Sequence, residues 1–86
     1  MAGLRILYFA WVRERIGLDE EAIDRPDAGT TIAMLLDRLA AGNAAHAYAF
    51  QARDRLRAAL DQAFVPLDTP IGEADELAIF PPVTGG

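Results

Sequence analysis

At 86 residues, 52% of them apolar, the chain has material for one compact domain with a thin core and too little for two. Its formal net charge of −5 argues against a phosphate-backbone ligand, which needs clustered positive charge, and favours solubility and a basic partner surface. The missing residue types exclude more: no Cys or Ser, hence no thiolate, disulfide or common hydroxyl nucleophile; no Lys, hence no P-loop or Schiff base; one His, His46, too few for the usual zinc sets.

Leu4 to Val12 is nearly continuously apolar and rich in aromatics, which predicts a strand buried on both faces in the middle of a sheet. Arg13 to Gly17 breaks the pattern as one helical turn ended by Gly17. Glu20 to Asp24 reads as an acidic edge strand, followed by a turn at Pro26 to Gly29. Ile32, Leu35, Leu36 and Leu39 then form one apolar stripe, a helix capped by Thr30 or Thr31 and ended by Gly42 and Asn43. Ala44 to Ala52 reads as a second, short helix with Tyr48 and Phe50 as anchors.

From Arg53 the period changes to two. Arg53, Arg55 and Arg57 alternate with Asp54, Leu56 and Ala58, which predicts a strand with one wet face running to Leu60. Asp61-Gln62 is a tight turn and Ala63 to Val65 a return strand halted by Pro66. Thr69 to Asp75 is loop, and Glu76 to Phe80 is the last strand, because Pro81-Pro82 cannot donate ladder hydrogen bonds. The order is β-β-α-(α)-β-β-β, an α+β roll. The expected division is a domain over residues 1–80 and a tail over residues 81–86. No stretch is apolar enough to span a bilayer and Met1 to Arg5 has no signal-peptide layout, so the expected location is cytoplasmic.

The sequence ends Phe80-Pro81-Pro82-Val83-Thr84-Gly85-Gly86. Two prolines favour an extended exit, and at ~3.1 Å per residue Pro81 to Gly86 reaches roughly 20 Å. Two terminal glycines have no Cβ, so the backbone can thread a channel that side chains would block. A frayed terminus is the plain alternative; the stiff Pro-Pro root directly after an apolar strand favours function.

This tail resembles that of the small-subunit family of molybdopterin synthase, sulfur carriers of the ubiquitin-like β-grasp superfamily. The likeness extends to Tyr8-Phe9-Ala10-Trp11-Val12-Arg13-Glu14, to Leu60-Asp61-Gln62 and to the acidic pair Asp75-Glu76. The family often has Asn where this chain has Asp61, and Gly where it has Ala74. The resemblance implies a mixed sheet packed on one main helix, and a chemistry centred on Gly86. An activating enzyme uses ATP to adenylate the Gly86 carboxylate, and sulfur from a donor such as a cysteine desulfurase or rhodanese-like protein converts it to a thiocarboxylate. The charged tail enters the large synthase subunit, in a heterotetramer, and gives its sulfur to cyclic pyranopterin monophosphate. The chain alone is not catalytic and binds no cofactor or metal, and neither nucleic acid nor membrane is an expected partner.

Gly85 and Thr84 belong to that tail. Phe80 is either core or an anchor on the large subunit, and its place between domain and tail favours the anchor. Pro81, Pro82 and Val83 line the same contact, and Arg13 is either a partner contact or a solvated side chain. Arg53, Arg55 and Arg57 make either a phosphate patch or a wet strand face, the latter favoured by the negative charge. His46 is a surface or satisfied core residue. A carrier serving thiamine or tRNA thiolation, or a ubiquitin-like modifier, shares the fold and the Gly-Gly end; the Phe80-Pro81-Pro82 root favours molybdopterin. A plain binding domain with a passive tail is the remaining alternative.

Overall fold

The apolar run that opens the chain is shared between a strand and a helix. In the computed structural model, which describes residues 3–82, β1 covers Gly3–Tyr8 and α1 covers Ala10–Ile16. The expected strand to Val12 therefore stops at Tyr8. Tyr8, Val12 and Ile16 are all buried, and the last two fall one helical turn apart on α1, a spacing that a strand could not turn to one side. β1 also buries one face only: Leu4, Ile6 and Tyr8 are buried, Arg5 is exposed and Leu7 is half-buried. The helices cover a single face of the sheet, so the expectation of two buried faces is corrected. Gly17 ends α1 as expected, at φ 88°, its N–H donating to the Arg13 carbonyl at 2.8 Å.

β2, Glu20–Asp24, runs antiparallel to β1 at a sheet edge, where its acidic composition placed it. α2, Ile32–Gly42, starts at Thr31, whose hydroxyl accepts the Met34 N–H at 3.1 Å, and buries Ile32, Leu35 and Leu36. Asn43 closes α2 and caps α3, Ala44–Ala49, its side-chain oxygen accepting the N–H groups of Ala45 and His46 at 2.8 and 3.1 Å. α3 stops short of Ala52. Phe50 anchors it in the core, but Tyr48 is 52% exposed, because the buried side of α3 is His46 and Ala49.

The strand expected from Arg53 begins only at Arg57. Arg53–Arg55 form a 3₁₀ turn and β3 covers Arg57–Leu60. Arg57 pairs with Phe80, the last residue of β5 (Glu76–Phe80). Beyond Phe80 come the two prolines, so residues before Arg57 have no ladder to join. Arg53 turns inward instead, donating to the Phe50 carbonyl at 2.8 Å and to Asp37 at 2.7 Å. β3 and β4, Ala63–Val65, form a hairpin through Asp61 and Gln62, at φ 47° and 73°.

The sheet order is β2-β1-β5-β3-β4, with β1 and β5 parallel at its centre and the other neighbours antiparallel. The three helices cover one face. Leu4, Ile6, Tyr8, Ala58, Leu77 and Ile79 meet Val12, Ile32, Leu36 and Phe50 there. This is the mixed five-stranded sheet of a ubiquitin-like β-grasp fold. Among the described residues, no helix is long and apolar enough to cross a membrane.

Candidate functional site

The sheet face opposite the helices carries an apolar row. Leu7, Ala78, Ala59 and Phe64 occupy matching register positions across β1, β5, β3 and β4. Strand alternation puts Phe80 on the same face, two residues beyond Ala78. The Phe64 and Phe80 rings lie 5.5 Å apart at 44°, a tilted aromatic contact. Phe64 is 81% exposed, Phe9 45% exposed and Phe80 half-buried. Both rings of the pair line two shallow grooves. One, of about 500 Å³, is completed by Val65, Pro66 and Pro82; the other, of about 590 Å³, by Leu7, Phe9 and Ala78. A contiguous apolar patch of this kind, rimmed by polar side chains, is a candidate docking surface.

The fold holds Phe80 and Pro82 at the edge of this patch. β5 lies between β1 and β3, with Tyr8 opposite Ile79 on one side and Arg57 opposite Phe80 on the other. The Arg57 guanidinium donates to the Asp54 and Leu56 carbonyls at 3.1 and 2.8 Å, which folds it back beside its own strand. At the other end of β5, Arg5 and Glu76 pair at 2.7 Å, and this hydrogen bond raises the arginine pKa further. Asp61 accepts the N–H groups of Asp75 and Glu76 at 3.0 and 3.1 Å from a left-handed backbone. Asp here supplies both the turn and the acceptor, so its replacement of Asn changes little. Ala74 is not at a positive φ, so the backbone here needs no glycine.

Phe80 stands outside the buried core and beside Phe64. Pro81 and Pro82 are half-buried, and Pro82 lines a groove with Phe80. Arg13 does not join them: it lies on α1, half-exposed, 3.9 Å from Asp19. Val83, Thr84, Gly85 and Gly86 lie outside the described residues. The three arginines form neither a phosphate patch nor one wet strand face. Arg53 is paired with Asp37, Arg55 lies over the Trp11 ring and only Arg57 is on a strand. Phe64 and Phe9 escaped the sequence reading as contact residues. The signal for Phe64 was its place between Ala63 and Val65, since alternation turns it to the face of Phe80.

His46 is buried, its Nε2 2.6 Å from the Glu21 carboxylate, which also accepts the Tyr8 hydroxyl at 2.6 Å. Burial, then the bond to Glu21, pushes the Tyr8 phenol far above its ordinary range. Among the described residues, no three His, Asp or Glu side chains gather closely enough to hold a metal.

The profile of the ThiS family matches residues 6–86. The chain is 41% identical over 85 residues to the molybdopterin synthase sulfur carrier subunit of Escherichia coli, covering 96% of this chain and 99% of that protein. It is 39% identical over 83 residues to the subunit of the same name from Haemophilus influenzae, with the same coverage. Among solved structures it resembles a Pyrococcus furiosus protein provisionally designated molybdopterin converting factor, subunit 1. The TM-score is 0.72 and the identity 25%, over 96% of this chain and all of that one. Small archaeal modifier protein 1 of Haloferax volcanii gives a TM-score of 0.70 at 26% identity, over 96% of this chain and all of that one. With this fold, and a match that runs through its last residue, the chain belongs to the ThiS family of ubiquitin-like β-grasp proteins.

Proposed function

We propose that the chain is the sulfur carrier of a molybdopterin synthase and that Gly86 is the group that carries the sulfur. The observation that carries this reading is the family match through residue 86, on a chain similar across 96% of its length to two named sulfur carrier subunits. The Phe64–Phe80 patch supports it, because the patch offers a docking surface at the point where the tail leaves the sheet.

The chemistry follows from the weakness of a carboxylate as an electrophile. Attack of the Gly86 carboxylate on the α-phosphate of ATP, in an activating enzyme, releases pyrophosphate and leaves an acyl adenylate. The terminal sulfur of a persulfide on a cysteine desulfurase or rhodanese-like donor attacks the acyl carbon and displaces AMP, giving an acyl disulfide. A second thiol then cleaves the S–S bond, leaving the thiocarboxylate on Gly86 and the donor cysteine in a disulfide with that thiol. Docked on the large subunit, the tail gives that sulfur to cyclic pyranopterin monophosphate. This chain contributes the docking face, the reach and the unbranched glycines; the catalytic side chains belong to its partners.

The test is mass spectrometry of the C-terminal peptide after incubation with activating enzyme, ATP and sulfur donor. One oxygen replaced by sulfur at Gly86 is the expected result. Sulfur elsewhere, or none, overturns the reading. Conjugates to lysines of other proteins are the outcome that the likeness to the archaeal modifier would favour instead.

A further inference from the structure

On the helical side of the molecule, away from the Phe64–Phe80 face, aromatic and guanidinium groups are stacked across three elements. The Arg15 guanidinium of α1 lies 4.5 Å from the Trp11 ring centre and 4.4 Å from that of Tyr48 on α3. Arg55, from the 3₁₀ turn, lies over the same Trp11 ring at 5.7 Å. All these distances are within the range of cation–π attraction. Tyr48 is 52% exposed, Arg55 is exposed, and Arg15 and Trp11 are half-buried. The ladder is therefore ordered and open to solvent at once.

Its charge is uncompensated. Among the described residues, Arg5, Arg13, Arg25 and Arg53 each reach a carboxylate. Arg15 and Arg55, like Arg38 and Arg57, reach none, but only Arg15 and Arg55 are stacked on aromatic rings. In a chain of net charge −5 this corner holds two cations whose planes are fixed by aromatic rings while their edges keep donors to offer. A guanidinium held this way loses little freedom on forming a bidentate bond to a carboxylate. Trp, Tyr and Arg are also the residue types that dominate binding energy at protein interfaces.

We propose that the Trp11–Arg15–Tyr48–Arg55 ladder is a second docking surface, and that its occupant is a carboxylate-rich segment of a partner protein. Protein is favoured over nucleic acid by charge. A phosphate backbone would extend past the two guanidiniums along a chain of net charge −5, whereas an acidic segment a few residues long engages the two guanidiniums alone. Because this surface lies on the helical layer, it stays available while the sheet face and tail are engaged. The proposal does not depend on the sulfur-carrier reading.

The experiment is amide and indole NMR of the full chain titrated with a hexa-glutamate peptide at low salt. Trp11 is the only tryptophan, so its indole signal reports on the ladder without ambiguity. We expect saturable shifts confined to the indole and to the amides around Arg15, Tyr48 and Arg55, shrinking as salt shortens the screening length. Arg15→Gln and Arg55→Gln should each weaken binding by about tenfold. Arg15→Lys should weaken it too, because an ammonium lacks the stacking plane. Arg55 is exposed, so its variant tests the idea even if Arg15→Gln disturbs α1. Absence of shifts, shifts centred on Arg5, Arg53 or Arg57, or binding indifferent to both Gln variants would overturn the proposal. So would an oligothymidylate that moves the same signals equally well. Sulfur loading of Gly86 should be unchanged in Arg55→Gln, which separates this surface from the tail chemistry.

Discussion

Gly17 turns the chain out of α1 on backbone geometry alone. A Cβ at this position would meet nothing within 4 Å, yet φ is 88°. Gly17→Ala should therefore cost about 1 kcal/mol, all of it conformational, measured as a shift in urea midpoint at constant m-value. An unchanged midpoint would mean that the turn relaxes freely. Phe64 is the opposite case, a large side chain that the free fold hardly uses. At 81% exposure its truncation to Ala should move stability by less than about 0.5 kcal/mol. If the sheet face docks the large synthase subunit, the same change should weaken that complex by about 2 kcal/mol. Calorimetry and thermal melts on one variant separate the two effects, and an unchanged affinity would remove Phe64 from the interface. Phe80→Ala should lose some of both, because its ring is half-buried against Phe64.

Between elements, the Glu21 carboxylate ties β2 to α3 through His46 and to β1 through Tyr8. Burial opposes its ionisation, but the hydrogen bonds from His46 and Tyr8 and the charge of His46 outweigh that, and the carboxyl sits below its ordinary value of 4.5. A carboxyl depressed in the folded state contributes stability that is complete above pH 4.5 and is lost as pH falls through the folded value. Glu21→Gln should thus be destabilising near neutrality, by about 1 kcal/mol, and the gap to the parent chain should narrow in acid. Urea unfolding across a pH series checks this; a gap that does not depend on pH would make the contact a neutral hydrogen bond. This tie was not legible in the sequence, where Tyr8, Glu21 and His46 are spread over three elements and only the tertiary fold joins them. The edge strand, the Thr31 cap, the tight turn at Asp61-Gln62 and the Pro-terminated last strand were legible, because each is set by residues adjacent in sequence. The end of β1 and the start of β3 were not. Both depend on where a partner strand runs out, and the register that decides this is a property of the sheet. Of the site, Phe80 and Pro82 could be read from the tail, while Phe64 and Phe9 needed the register to bring them alongside.

At the scale of the whole molecule, the sheet fixes the point from which residues 81–86 continue. β5 is held on both sides, by β1 and β3, up to Phe80, and the prolines that follow stop the ladder there. If Gly86 carries the sulfur, the position of its reactive carbon relative to the docking face is set by the number of residues beyond that fixed root. One residue added after Gly86 moves the terminal carboxylate by ~3 Å along an extended chain, and misplacement of about 1 Å can already cost roughly a hundredfold in rate. Any added residue other than glycine also brings a Cβ into a channel that Gly85 and Gly86 would leave open. Deleting Gly86 shortens the reach by the same step and should do equal harm. Neither change touches the core, which is assembled from residues between Leu4 and Ile79, so the melting temperature should hold. The measurement is molybdopterin formation in a reconstituted synthase, beside a thermal melt of each variant. An extended chain that is activated and transfers sulfur at the normal rate, without first being trimmed, would show that the position of Gly86 is not what the carrier relies on.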